Sequence, residues 1–204
     1  LLVTFFIPLR LENSGQQNPR YMKDEPAVLA AASSLDQDAL ATIFDEYAPA
    51  IYKYLLRLGV SSQEADQTAG DVFARLLDKF AEGKGPRTNL RSYLFQTAYH
   101  LAIDDARERQ RSAPLEVAES VKEDTASVQS LAEEKMLLET ISTTMGRELT
   151  DEQRNVLVLR FQEEFSLKET AEIVGKNVNA VKALQNRGIK KLREVLNNKQ
   201  RGEE

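Results

Sequence analysis

Cysteine is absent from the 204 residues, which excludes disulfide scaffolds, thiol nucleophiles and every cysteine-based zinc or iron–sulfur site. Histidine occurs once, at His100, too few for a multi-histidine metal centre and a poor basis for a Ser-His-Asp arrangement. No metal and no cofactor is therefore expected. Long hydrophobic runs are also missing. The longest, LLVTFFIPL at 1–9, is about half of the roughly 20 residues that a bilayer crossing needs. It lacks the preceding positive charges and the small-residue cleavage site of a signal peptide. No membrane insertion is expected, and the protein is read as cytoplasmic. Catalytic carboxylate pairs are absent as well: Asp104 and Asp105, like Glu163 and Glu164, are adjacent in helical segments and point apart, so neither pair forms a shared acid/base site. The chain is not expected to be an enzyme.

What is present is an ordinary globular composition, 42% hydrophobic and 29% charged, with room for one domain or two small ones. The formal net charge of −5 argues against a nucleic-acid binder until its local distribution is considered. Met22 opens MKDEPAVLAAASS, which reads like a natural start. Residues 1–21 are accordingly expected to be an upstream extension or a dispensable tail, and residues 1–34 as a whole a poorly ordered extension.

Helical periodicity dominates and no alternating strand is evident, so the fold class is all-α. Ser34 and Gln37 have the spacing of a capping box, followed by Leu40, Ile43, Phe44 and Tyr47 on one face. Pro49 predicts a kink or restart before Ile51, Leu55 and Leu58, and Gly59 a C-terminal cap. Ser61 and Glu64 form a second box ahead of the cleanest apolar face, Ala69, Val72, Phe73, Leu76, Leu77 and Phe80. A loop of Gly and basic residues at 82–88 separates it from a helix burying Leu90, Leu94, Thr97, Ala98 and Leu101. Residues 112–130 lose periodicity and read as a flexible linker, giving two small helical domains, 35–111 and 131–196, and a frayed tail at 197–204. In the second domain, helices are expected at 131–145, 151–162, 167–174 and 178–196, with capping boxes at Thr150/Gln153 and Ser166/Glu169.

Within 166–187, Ala171, Gly175 and Val181 have the relative spacing of a helix-turn-helix: a small residue at the helix crossing, a glycine for positive φ in the turn, and a valine plug. Residues 176–193 contain six basic side chains and no acidic one, a local phosphate-binding face in a net-acidic chain. The plain alternative is a solvated helix surface, but the turn spacing favours duplex DNA. Asn179, Lys182, Ala183 and Asn186, early on the second helix, are candidates for base edges. Arg187, Lys190 and Lys191 are candidates for phosphates.

The segments IFDEYAPAIYKYLLRLG (43–59), EADQTAGDVFARLLDKF (64–80) and RSYLFQTAYHLAIDDAR (91–107) resemble the core-polymerase-binding and −10-recognition domain of bacterial sigma factors. Residues 149–196 resemble the −35-recognition domain of the same family, and the short linker resembles the extracytoplasmic-function (ECF) group. The resemblance implies a non-catalytic factor that docks on core RNA polymerase and directs it to promoter DNA, both duplex −35 and single-stranded −10, with an anti-sigma factor as a further partner. It implies polymerase contact at Asp66, Gln67, Gly70 and Asp71, and −10 contact at Lys84, Arg87, Asn89, Arg91, Gln96, Tyr99 and Arg107. The residues themselves agree in part: Lys84, Arg87 and Arg91 suit phosphates, Asn89 a base, and aromatic side chains can stack on an extruded base. Tyr93 and Phe95 are equally well read as core, whereas Tyr99, opposite the Leu94/Leu101 stripe, is expected to be exposed, and His100 to lie at the surface or half-buried. Family members usually carry an acidic residue and, three positions on, a glutamine where this chain has Gln67 and Gly70. That departure leaves open a sigma-like mimic or adaptor that titrates an anti-sigma factor, beside a conventional helix-turn-helix regulator.

Overall fold

The computed structural model describes residues 22, 24–112 and 144–201, and among these the regular structure is entirely helical. The first domain contains α1 (Glu25–Ala32), α2 (Gln37–Arg57), α3 (Ser62–Ala81) and α4 (Leu90–Ser112). In the second domain residues 144–148 are helical. They precede α5 (Asp151–Leu157), a π-helical turn (Val158–Gln162), α6 (Leu167–Ile173) and α7 (Val178–Arg201). The extension at 1–21 and most of the linker lie outside the described residues.

Local sequence explains where most helices begin. The boxes Ser61/Glu64, Thr150/Gln153 and Ser166/Glu169 all form reciprocally, each satisfying orphan amides at a helix start. Ser34 does not cap. Leu35 turns through a left-handed φ of 60°, which delays the helix, and the Asp36 carboxylate takes the cap by accepting from Ala39 N at 2.9 Å. Pro49 does not end α2, which runs unbroken from Gln37 to Arg57. Nor are residues 25–32 poorly ordered: α1 buries Leu29 and Ala32, and the Glu25 carboxylate accepts from Leu90 N, capping α4.

Helices α2, α3 and α4 enclose Ile43, Ile51, Tyr54, Leu55, Val72, Leu76, Leu90, Leu94 and Phe95, all at or below 1% exposure. Two expected core residues are turned outward instead. Leu77 is 42% exposed, and so is Phe44 at 49%, its ring lying 4.8 Å from that of Phe73. In the second domain the consecutive residues Val156, Leu157, Val158 and Leu159 are all buried, more than one helical face can hide. They straddle the junction of α5 with the π turn, where Glu163 N bonds Val158 O and Phe165 N bonds Leu159 O.

Gly70 is exposed on α3, and a methyl group added there would meet nothing within 4 Å. Gly70→Ala is expected to stabilise the protein by about 0.5–1 kcal/mol, read from the urea midpoint, because it removes backbone entropy from the unfolded chain at no steric cost.

Candidate nucleic-acid interface

In the helix-turn-helix, Ala171 is buried at the crossing, Gly175 turns the chain at φ 64°, and Val181 is fully buried beneath α7. A side chain other than glycine would strain that turn. The Asn177 carboxamide oxygen accepts from Ala180 N at 2.8 Å and caps α7. Burial of Val181, Leu184, Gly188 and Leu192 turns the opposite face outward, so Asn179, Lys182, Ala183, Asn186 and Arg187 form one exposed strip. Lys190 and Lys191 are exposed on the same helix, but each meets a carboxylate, Glu194 at 3.8 Å and Glu148 at 3.4 Å.

The expected −10 residues divide into two groups. Lys84, Arg87 and Asn89 lie exposed in the loop before α4, with Lys84 held 3.3 Å from Glu82. Hydrogen bonds from Lys79 and Lys84 hold the Glu82 carboxyl below its ordinary value. Arg107 is exposed further along α4, 3.5 Å from Asp104. His100 is exposed as well.

Arg91, Gln96 and Tyr99 instead face the second domain. Arg91 donates through Nη2 to the Glu163 backbone carbonyl at 2.7 Å and to its carboxylate at 3.3 Å. Its guanidinium lies 3.9 Å from the centre of the Phe165 ring, which in turn meets Phe95 edge-on at 5.0 Å. Arg57 reaches the other carboxylate oxygen of Glu163 at 2.6 Å. Gln96 donates to Glu172 O at the end of α6. Tyr99 is only 6% exposed, contrary to expectation. Its stripe on α4 is opposite the first domain's own core, yet the second domain covers it. Burial raises its phenol pKa, with the Glu152 carboxylate adding to the effect. Tyr54, fully buried in α2, donates to the Asn155 carboxamide at 2.5 Å. Arg154 donates to Leu58 O at 2.7 Å beside Gly59, where φ is 88° and a Cβ would stand 2.8 Å from the guanidinium.

The polymerase candidates Asp66, Gln67, Gly70 and Asp71 are all exposed on α3. Leu77 continues that surface, and Phe44 adds a ring from α2, two residues that periodicity alone had assigned to the core.

Residues 43–112 match the family model for sigma-70 region 2, and residues 147–194 match that for sigma-70 region 4. The chain belongs to the sigma-70 family, in its ECF group. Relatives include the ECF RNA polymerase sigma factor BldN of Streptomyces coelicolor, 28% identical over 81% of this chain and 63% of that protein. SigX of Bacillus subtilis is 26% identical over 78% of this chain and 84% of its own length. SigW of the same organism is 29% identical, over 79% and 90% respectively. The chain thus spans under two thirds of BldN but most of SigX and SigW. In fold it is similar to CnrH in complex with the cytosolic domain of CnrY, with a TM-score of 0.63 at 20% identity, covering 86% of this chain and 99% of that one. It is also similar to RpoE in complex with the anti-sigma factor NepR from Bartonella quintana, with a TM-score of 0.57 at 20% identity, over 77% and 96%.

Within the junction, burial lifts the Glu163 carboxyl above its ordinary value of 4.5, outweighing the opposing pull of Arg57 and Arg91. The folded chain therefore binds this proton more tightly than the unfolded one, and stability falls as pH rises from the ordinary carboxylate range through the raised value. Replacing Glu163 by Gln should remove that component. Urea unfolding across a pH series is expected to show a flatter profile for the variant in that window, and identical profiles would place the titration elsewhere.

Proposed function

We propose that the chain acts as a sigma factor: it binds core RNA polymerase and directs promoter-specific initiation, in the cytoplasm and without catalysis of its own. The observation that carries this is the pairing, in order on one chain, of a region 2 domain and a region 4 domain whose last helix exposes Lys182 and Arg187 beside Asn179 and Asn186. A lone helix-turn-helix would suit many regulators, but the pair suits a factor that must grip polymerase and two promoter elements together.

In this reading Asn179, Lys182, Ala183 and Asn186 meet base edges of the −35 duplex from the first turns of α7. Arg187, Lys190 and Lys191 neutralise phosphates, the two lysines by exchanging their carboxylate partners for DNA. Lys84, Arg87, Asn89, Arg91, Gln96, Tyr99 and Arg107 serve the unwound −10 strand. Asp66, Gln67, Gly70 and Asp71 face the polymerase, and the exposed Phe44 and Leu77 supply apolar contact beside them. An anti-sigma factor is the expected regulator. The sigma factor RpoE has been captured with the anti-sigma factor NepR, and CnrH with the cytosolic domain of CnrY.

The deciding experiment is run-off transcription of genomic fragments by purified core polymerase, with and without the chain. Discrete start sites that require the chain support the reading, and silence with no polymerase binding overturns it. On a promoter found this way, Lys182→Ala and Asn186→Ala are each expected to cost about 1–3 kcal/mol of −35-dependent activity. Unchanged activity across a panel of −35 mutants would remove both from the reading set. Gln67→Asp combined with Gly70→Gln is expected to tighten core binding in a pull-down titration, and no change would mean that α3 docks differently.

A further inference from the structure

Helix α4 begins without the local groups that usually start a helix. Asn89, the residue before it, stands at a left-handed φ of 56°. A capping residue ordinarily takes an extended φ, from which its side chain reaches the first-turn amides. Asn89 contributes its backbone instead: its carbonyl accepts from Tyr93 N at 3.1 Å, while the residue is exposed. The first turn of α4 also holds no acidic residue, and Arg91 sits there against the positive end of the helix dipole.

The acceptor comes from 65 residues upstream. The Glu25 carboxylate accepts from Leu90 N at 3.3 Å through Oε1, and its Oε2 is buried with no hydrogen-bond partner among the described residues. Glu25 is also the acidic residue in the first turn of α1, whose own cap residue, Asp24, makes no side-chain hydrogen bond. One carboxylate thus serves the positive ends of two helices. Burial of Leu29 and Ala32 fixes α1 on the domain. Burial pushes the Tyr47 phenol of α2 up to about 12, and the Glu25 carboxylate adds to the effect. A carboxylate with one amide bond and one bare buried oxygen is a costly device for stability alone.

We propose that Glu25 is a positioning residue for −10 recognition: by capping α4 in place of Asn89, it keeps the Asn89 carboxamide turned outward to meet a base. The proposal rests on the reading of Asn89 as a −10 contact. Glu25 itself touches no DNA, and it lies ahead of residues 43–112, the span that matches the region 2 model. Without Glu25 the Leu90 amide loses its acceptor. The Asn89 side chain then turns back onto the first-turn amides, as asparagine does at ordinary helix starts.

The test is run-off transcription by core polymerase with the full chain, on a promoter library randomised across the −10 element, with the transcripts sequenced. Wild type should prefer one base at a −10 position where Asn89→Gly lowers the preference about tenfold, because glycine keeps the turn and removes the carboxamide. Glu25→Ala should lose the same preference to the same extent, and the double variant no more than either alone. Glu25→Gln, whose carboxamide oxygen still accepts from Leu90 N, should retain it. Preferences in a second library, randomised across the −35 element, should be unchanged in every variant. An unaltered −10 profile in Glu25→Ala, additive losses in the double variant, or no retention by Glu25→Gln would overturn the proposal. So would losses shared equally by the two libraries, the mark of a merely weakened fold. Should Glu25→Ala lose its helical circular dichroism, Glu25→Met decides, since it keeps the length of the side chain and removes the acceptor. Silence from wild type on every promoter overturns the promoter reading and this proposal with it. Start sites whose −10 profile is indifferent to Glu25 overturn the positioning alone.

Discussion

The contact on which the arrangement of this molecule depends is the burial of Glu163 between Arg57 and Arg91, 106 and 72 residues away in sequence. Taking a carboxylate and a guanidinium out of water costs several kcal/mol per ion, and their mutual attraction roughly repays it. Burial raises the Glu163 pKa against the pull of Arg57 and Arg91, so desolvation is the larger influence on its proton. Adhesion between the domains comes from Phe165 edge-on to Phe95, from Arg91 over the Phe165 ring, and from the hydrogen bonds of Tyr54 to Asn155, Gln96 to Glu172 O and Arg154 to Leu58 O. Each aromatic pair contributes about 0.5–1.5 kcal/mol beyond its buried area. The ions add direction, because Nη2 of Arg91 meets both the backbone carbonyl and the carboxylate of Glu163.

The helix-turn-helix and this junction are mechanically one unit. Helix α6 holds α7 at the crossing through Ala171, and the carbonyl of Glu172 at its far end receives Gln96. The π turn ahead of α6 sets the position of both Glu163 and Phe165, since its wide hydrogen bonds shift those residues relative to a regular helix continuing from α5. The segment that orients the duplex-reading helix is thus also the segment that occupies the first domain.

Sequence patterns expressed within four or five residues were legible. Three capping boxes, the spacing of Ala171, Gly175 and Val181, and the buried stripes of α3 and α4 follow from local hydrogen bonding and helical period, which the chain carries everywhere. Illegible features depended on a partner surface remote in sequence. Tyr99 lies on the side of α4 that periodicity assigns to solvent, and it is buried because the second domain lies over it. Phe44 and Leu77 have the right period for a core, but they fall at the edge of the stripe where three helices leave them uncovered. Glu163 looked inert as half of an adjacent acidic pair. Nothing local marks it, although the run of four buried aliphatic residues just before it was a sign that two surfaces had to be covered there.

The distribution of charge reaches the same end as the junction. Six basic residues at 176–193 sit in a chain whose total is −5, so the remainder is strongly acidic. Phosphate attraction acts over about 8–10 Å at physiological salt, so the basic strip is felt by DNA close to α7 while the acidic body repels it elsewhere. A uniformly basic surface would bind duplex anywhere and in many orientations, with affinity spent on sites that carry no information. Concentrating basic charge on one exposed helix favours approach of the duplex along that helix.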